Sequence, residues 1–297
     1  FSLKGANKDF VTEIVGYSFW ILLQMIATQI NAYADQVLLG AFVSGASVAI
    51  AIYSIGSQIV QYFQSIGSAL GGVLMPGVVS IVERGATPKQ LEDEMVRIGR
   101  MAFIILGTIY AGFLLYGKQF IQLWAGNEYE EGFFAAALLM LAYLFICSES
   151  IGTSILWAKN EHKEQAILKF VIVLVNIVLT VFLIRWNALY GATIGTFISL
   201  ALGDVLVMNI LFKKKIEINL KRYYKNLLKG VFPSILLGAA LNLIFKMLKL
   251  SGWLGFMINV GVYVIIVGLL LWFFGMNTSE KQMIKSLIKM PRSKCKQ

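Results

Sequence analysis

The chain predicts an all-α, polytopic membrane helix bundle of about eight transmembrane helices, on three observations. Gln36 to Val82 is a run of 47 residues without Asp, Glu, Lys or Arg. Hydrophobic residues make up 58% of the 297 positions, more apolar surface than a water-soluble domain needs. Lysine and arginine are concentrated in alternate connections between apolar runs. Lipid is therefore the solvent for most of this chain.

Runs of the length that crosses hydrocarbon as a helix lie at roughly Val11–Ala34, Ser47–Val82, Met101–Trp124, Gly132–Ala158, Ala166–Ile184, Tyr190–Phe212, Val231–Leu248 and Trp253–Met276. The first is full span length without a small-residue cleavage site, so it reads as a span and not a cleavable signal. The second is too long for one straight crossing. Gly67, Gly71, Gly72, Pro76 and Gly77 weaken it, so a bend is expected near Gly71–Pro76. The third is entered through a charged, amphipathic stretch, where Thr87, Pro88 and Gln90 form a capping-box pattern. The fourth carries Glu149 about two thirds of the way along, among Ser148, Ser150, Gly152 and Thr153. The fifth has Lys169 one turn inside and Asn176 deeper. The sixth holds Asp204 and the series Gly191, Gly195, Gly203, which permits close helix approach. The last two follow a basic linker and are separated by a short connection. Continuous apolar runs, with no period-two alternation, exclude a barrel.

Cations set the topology. With the first residues cytoplasmic, 21 Lys and Arg fall on the cytoplasmic side and 4 on the other, with Lys169 inside a span. A multi-pass protein of the plasma or inner membrane, with both termini cytoplasmic, is expected. Trp124, Trp157, Trp186 and Trp253 fall at span ends, as interfacial anchors do. The same asymmetry accounts for the net charge of +10 through anionic lipid headgroups, without nucleic acid. Cys147 in a span and Cys295 in the tail make no disulfide framework, and no metal signature is present. His162 reads as a solvated loop residue.

Polar groups within spans carry the functional signal. Gln24, Thr28, Asn31 and Asp35 share one helical face, as do Ser54, Gln58, Gln61 and Ser65 with Ser68. Facing lipid, each unpaired group costs about 2–7 kcal/mol. Both stripes must therefore meet other helices or water: either interhelical hydrogen bonding or a wet cavity. Asp35 is placed at the outer end of the first span. Lys169 and Asp204 either snorkel to the cytoplasmic surface or act inside. Glu149 is protonated, or paired across helices, and is with Asp204 a candidate coupling group.

These residues resemble a family. Asp35-Gln-Val-Leu-Leu-Gly40, then Val48-Ala-Ile-Ala-Ile-Tyr53, Ala69-Leu70 and Pro76, look like the second half of Wzx-type polysaccharide and O-antigen flippases. These are polysaccharide biosynthesis proteins of the multidrug/oligosaccharidyl-lipid/polysaccharide exporter superfamily. Gly117–Tyr129 resembles the family's outer loop, and Asn176 with Gly191-Ala-Thr-Ile-Gly-Thr196 its later motif. The resemblance implies a MATE/MurJ-like fold of two six-helix lobes around a cavity lined by the first two helices of each, often with two extra helices. On that reading residues 1–212 are the C-terminal lobe and 213–297 the extra pair with its basic linker and tail; the N-terminal six-helix lobe is absent from the chain. The implied function is a flippase, not an enzyme. It would move undecaprenyl-diphosphate-linked oligosaccharides from the cytoplasmic to the outer leaflet by alternating access, coupled to H+ or Na+, with no other cofactor. Polysaccharide polymerase and glycosyltransferases are the implied partners.

Diphosphate contacts in related lipid II flippases come from cavity arginines, which the first two spans lack; the nearest here are Arg97 and Arg100 at the cytoplasmic mouth. The alternatives are a lipid II flippase or a drug/cation antiporter, for which Glu149 and Asp204 speak. A glycan-polymerising enzyme would need acid, base or metal residues on a sizeable outer loop, and the outer loops are short. A structural scaffold is the remaining class.

Overall fold

The computed structural model describes residues 8–245 and 252–289; Lys4 and the tail with Cys295 lie outside this range. The described residues are predominantly helical, without a strand among them. The helices are α1 (Lys8–Phe42), α2 (Ser47–Glu83), α3 (Pro88–Trp124), α4 (Gly132–Ser148), α5 (Ser150–Ala158), α6 (His162–Ile184), α7 (Ala188–Ser199), α8 (Met208–Lys215), α9 (Leu220–Leu228), α10 (Val231–Phe245), α11 (Gly252–Leu270) and α12 (Thr278–Lys289). A π-helical turn, Leu200–Val207, joins α7 to α8, and a second, Leu271–Gly275, ends α11.

Six helices are long and apolar enough to cross a membrane, or eight when each of two bent pairs counts as one span. One pair is α2, whose parts Ser47–Gly72 and Gly77–Glu83 lie 46° apart, at the position where the glycines and Pro76 weaken the helix. The other is α4 with α5, which meet at 41° around Glu149 (φ −95°, ψ 0°). This break has no proline and was not expected.

Local chemistry explains the ends. Thr87 caps α3 by accepting from the Gln90 backbone N–H at 3.4 Å while the Gln90 side chain accepts from Thr87 N–H at 2.8 Å, with Pro88 in the first turn. Thus α3 begins well before Met101: the amphipathic stretch and the span are one helix. The side chains of Asn187 and Asn219 cap α7 and α9, each accepting a backbone N–H at 3.1 Å. Helix α1 does not end at Ala34. It continues to Phe42, which carries Asp35 from the expected interface into the bundle, because its carboxyl group finds hydroxyl donors there.

Two sub-bundles pack side by side, α1–α6–α7 and α2–α3–α4–α5, joined where α4 meets α7. Helices α10 and α11 pair with each other and lie against α3. Glycines allow the closest crossings. A Cβ on Gly56 of α2 would sit 2.8 Å from the Gly132 carbonyl oxygen of α4, and one on Gly132 2.9 Å from that of Ile52. A Cβ on Gly191 or Gly203 would overlap α6, at Leu183 and Ile172 respectively. In the core Leu106, Ile121, Ile155 and Leu156 are fully buried. By contrast α1 leaves Phe19, Met25, Tyr33 and Val37 exposed.

Candidate functional site

Parts of the two polar stripes face a common space. A cavity of about 160 Å³ opens between α1, α2, α4, α6 and the π turn. Thr28 and Asn31 line it from α1, Ser57, Gln61 and Gln64 from α2, Tyr143 from α4, and Lys169 and Asp204 from the far wall. That volume has room for several waters. Aliphatic residues, among them Val60, Leu139, Ile172 and Leu200, fill the rest of the lining, and its charged members are one ion pair, Lys169 with Asp204. Both line the cavity, and the lysine side chain, 24% exposed against 5% for the aspartate, is the more accessible of the two. Neither residue snorkels away.

The stripes are not wholly spent on this cavity. Gln24 stands one turn away, its carbonyl taken by the Thr28 hydroxyl at 2.9 Å. Ser54 and Ser65 donate to their own helix, to Ile50 and Gln61 carbonyls at 2.7 and 2.8 Å. Gln58 is exposed and donates to the Tyr62 hydroxyl at 3.1 Å.

Behind the cavity lies a buried cluster around Asp35, which is 2% exposed. Its carboxylate accepts from the Tyr53 hydroxyl, from Thr196 at 2.6 Å and from Thr180 at 3.3 Å. Both threonine hydroxyls also lie 3.1 Å from Asn176 Oδ1. The Asn176 amide is oriented by donating from Nδ2 to Asn31 Oδ1 at 2.7 Å. Each threonine has a single hydroxyl hydrogen, so two hydrogens serve four acceptor contacts. Oxygen is in excess over hydrogen. Such a set of hard donors, one carboxylate with amide and hydroxyl oxygens, suits a proton or a hard monovalent cation. Among the described residues no three His, Cys, Asp or Glu side chains gather as a transition-metal site would require.

Of this cluster, sequence reasoning assigned only Asn31 and Asp35 to the site. Asn176 and Thr180 are one turn apart on α6, and Thr196 ends the Gly-Ala-Thr-Ile-Gly-Thr motif. That spacing was the available signal. Ser57 and Gln64 widen the second stripe in the sequence and Tyr53 is there a candidate for stacking on a sugar ring; Tyr143 carried no such signal.

Glu149 stands apart from the cavity. It is buried at the α4–α5 break, where Tyr224 donates to it and Asn209 Nδ2 lies 3.0 Å away. The two arginines expected at a cytoplasmic mouth differ. Arg97 is exposed and paired with Glu94 at 2.7 Å. Arg100 is 3% exposed and its donors are taken by Glu280 at 2.7 Å and the carbonyls of Lys229 and Gly275 at 2.8 and 2.9 Å. It is a clasp within the protein, not a free cation facing a mouth. His162 is buried and stacks edge-on against Tyr17, ring centres 4.5 Å apart, so it is not a solvated loop residue.

Residues 3–134 match the family described as polysaccharide biosynthesis protein. None of the curated proteins matches the chain. Among solved structures it is similar to an outward-facing multidrug resistance MATE family transporter of the MOP superfamily, at a TM-score of 0.54 and 17% identity. It is similar also to a MOP superfamily transporter from Pyrococcus furiosus, described as having a binding pocket of reverse polarity, at a TM-score of 0.53 and 17% identity. In both cases 87% of this chain is covered, and it spans 64% of the other chain. The chain therefore has the fold of these transporters, with six to eight apolar helices long enough to cross a membrane, and residues 3–134 match the polysaccharide biosynthesis protein family.

Proposed function

We propose that the chain is the cavity-bearing lobe of a flippase that carries a polyprenyl-diphosphate-linked oligosaccharide across the membrane. The observation that supports this reading most is the makeup of the cavity wall: Thr28, Asn31, Ser57, Gln61 and Gln64 facing Lys169. Amides and hydroxyls both donate and accept, as sugar hydroxyls do. An oligosaccharide headgroup cannot cross hydrocarbon unaided and needs such a wall, exposed to each side in turn. Lys169 is the cation among the lining residues and so the local partner for an anionic diphosphate. The exposed apolar face of α1 is the surface on which a second lobe would pack. In this reading the Asp35 cluster takes the coupling ion, H+ or Na+, directly behind the substrate wall, so that filling it alters the position of Asn31 through Asn176. That assigns coupling to Asp35 in place of Glu149.

The test is reconstitution into proteoliposomes with a fluorescent polyprenyl-diphosphate oligosaccharide, its outer-leaflet arrival read by an impermeant quencher. Replacing Asn31 and Gln61 together by Leu removes two hydrogen-bonding groups and is expected to slow transfer by roughly tenfold or more. Transfer at the parent rate overturns the assignment of this wall to the sugar. An antiporter would instead show cation-driven efflux of a small organic cation and indifference to the lipid-linked glycan.

A further inference from the structure

Helix α9 is more than a link between the lobe and the last helices. Its inner face, Tyr223 and Leu227, is completely buried. Its start is fixed by Glu92, which accepts from the Asn219 backbone N–H at 2.9 Å, and by Arg222 on Asp93 at 2.7 Å. Its end is held by Arg100 on the Lys229 carbonyl at 2.8 Å. From this seat two adjacent tyrosines reach the break between α4 and α5. Tyr223 donates to the Ser148 carbonyl at 3.0 Å and Tyr224 to Glu149. A helix break frees carbonyls that need donors inside a membrane, and α9 supplies one of them. It splints the break.

The opposite side of α9 carries Lys221 and Lys225, with Lys229 directly after it, all exposed. At i, i+4 and i+8 they form one row. Among the described residues no carboxylate pairs with any of the three, since Glu92 and Asp93 are engaged with Arg222. Only residues 216–219 separate α9 from α8, and residues 229–230 from α10. So short a tether between two membrane helices keeps the row within the headgroup layer, on the side that the cation asymmetry makes cytoplasmic. A soluble partner would have to reach into that layer; an anionic lipid is already there.

We propose that this lysine row binds the anionic headgroups of the cytoplasmic leaflet, and that the bound lipid presses α9 onto the α4–α5 break and stiffens it. Each lysine near an anionic surface contributes about fivefold to association, so the row as a whole is worth roughly 100-fold, declining with added salt. The inference does not depend on what is transported.

The experiment uses the whole chain in nanodiscs of phosphatidylcholine alone or of phosphatidylcholine with an equal part of phosphatidylglycerol. Two quantities are read: lipid retained after transfer to detergent, by native mass spectrometry, and hydrogen exchange at residues 148–152. The parent is expected to retain phosphatidylglycerol selectively and to exchange more slowly at the break in anionic discs. The triple variant K221Q/K225Q/K229Q, altered only at exposed positions, should lose both effects. Tyr224→Phe should keep lipid selectivity and lose the slowing. Equal retention by parent and triple variant overturns the binding site. Identical exchange at 148–152 in the two kinds of disc overturns its connection to the break.

Discussion

Replacing Arg100 by Ala should damage the fold, not the transport chemistry, and by an amount the structure sets. Arg100 and Glu280 are 4% and 8% exposed at the side chain, and the guanidinium also satisfies backbone carbonyls of Asn226, Lys229 and Gly275. Truncation leaves Glu280 buried without its cation, keeping only the Asn277 N–H at 2.7 Å. Removing one partner of a buried pair costs about 3–5 kcal/mol, more than the pair itself is worth against an apolar substitute. Spread over an unfolding entropy of roughly 0.6 kcal/mol/K for a chain of 297 residues, this lowers the melting temperature by about 5–8 °C. Tryptophan fluorescence during a thermal ramp in detergent reads it. Arg100→Met with Glu280→Gln should recover part of the loss, since no buried charge then remains. Arg97→Ala, which removes an exposed pair, should stay within about 0.5 kcal/mol of the parent. A drop of less than about 2 °C for Arg100→Ala would mean that water reaches the clasp, and the reasoning from burial would be wrong.

Other outcomes follow from single contacts. Sodium chloride should raise the melting temperature of the parent relative to choline chloride, by mass action on the folded state, and Asp35→Asn should abolish the difference; an unchanged sodium response places the ion elsewhere. Gly56→Val drives a side chain against the Gly132 carbonyl and should cost about 1–3 kcal/mol, whereas Gly72→Val, with nothing within 4 Å of its Cβ, should cost far less in the same thermal assay. Lys118 and Gln122 hold the exposed Glu130 below the usual carboxylate range. Its contribution is therefore present above the ordinary carboxylate pKa and disappears as pH falls through the lowered one. The stability gap between parent and Glu130→Gln should close on acidification, and a gap that widens would contradict the sign.

Periodicity made much of this protein legible. Thr28 and Asn31 were placed on the cavity side of α1, and Gln61 on that of α2, because a 3.6-residue repeat fixes which face a polar group takes in a lipid solvent. Gly71–Pro76 marked the bend in α2 because glycine and proline act locally. What escaped was set by partners distant in sequence. Nothing beside Arg100 announces Glu280, 180 residues later, and without that partner an arginine near a membrane surface reads as a free cation. Asp35 was placed at an interface because a carboxylate ordinarily ends an apolar run; Thr180 and Thr196, over 140 residues away, let the helix continue. The break at Glu149 was hidden for a similar reason. Its donors come from α8 and α9, and no proline or glycine stands at the break itself.

The π turn at Leu200–Val207 lets a single rod serve three polar centres. An uninterrupted α-helix repeats its faces on a fixed schedule, and one wide turn shifts the phase of everything after it. Above the shift Thr196 reaches Asp35; within it Asp204 meets Lys169; below it Asn209 touches Glu149. Any twist of that rod about its long axis must loosen or tighten all three contacts in concert, so events at three depths of the bundle share one mechanical degree of freedom.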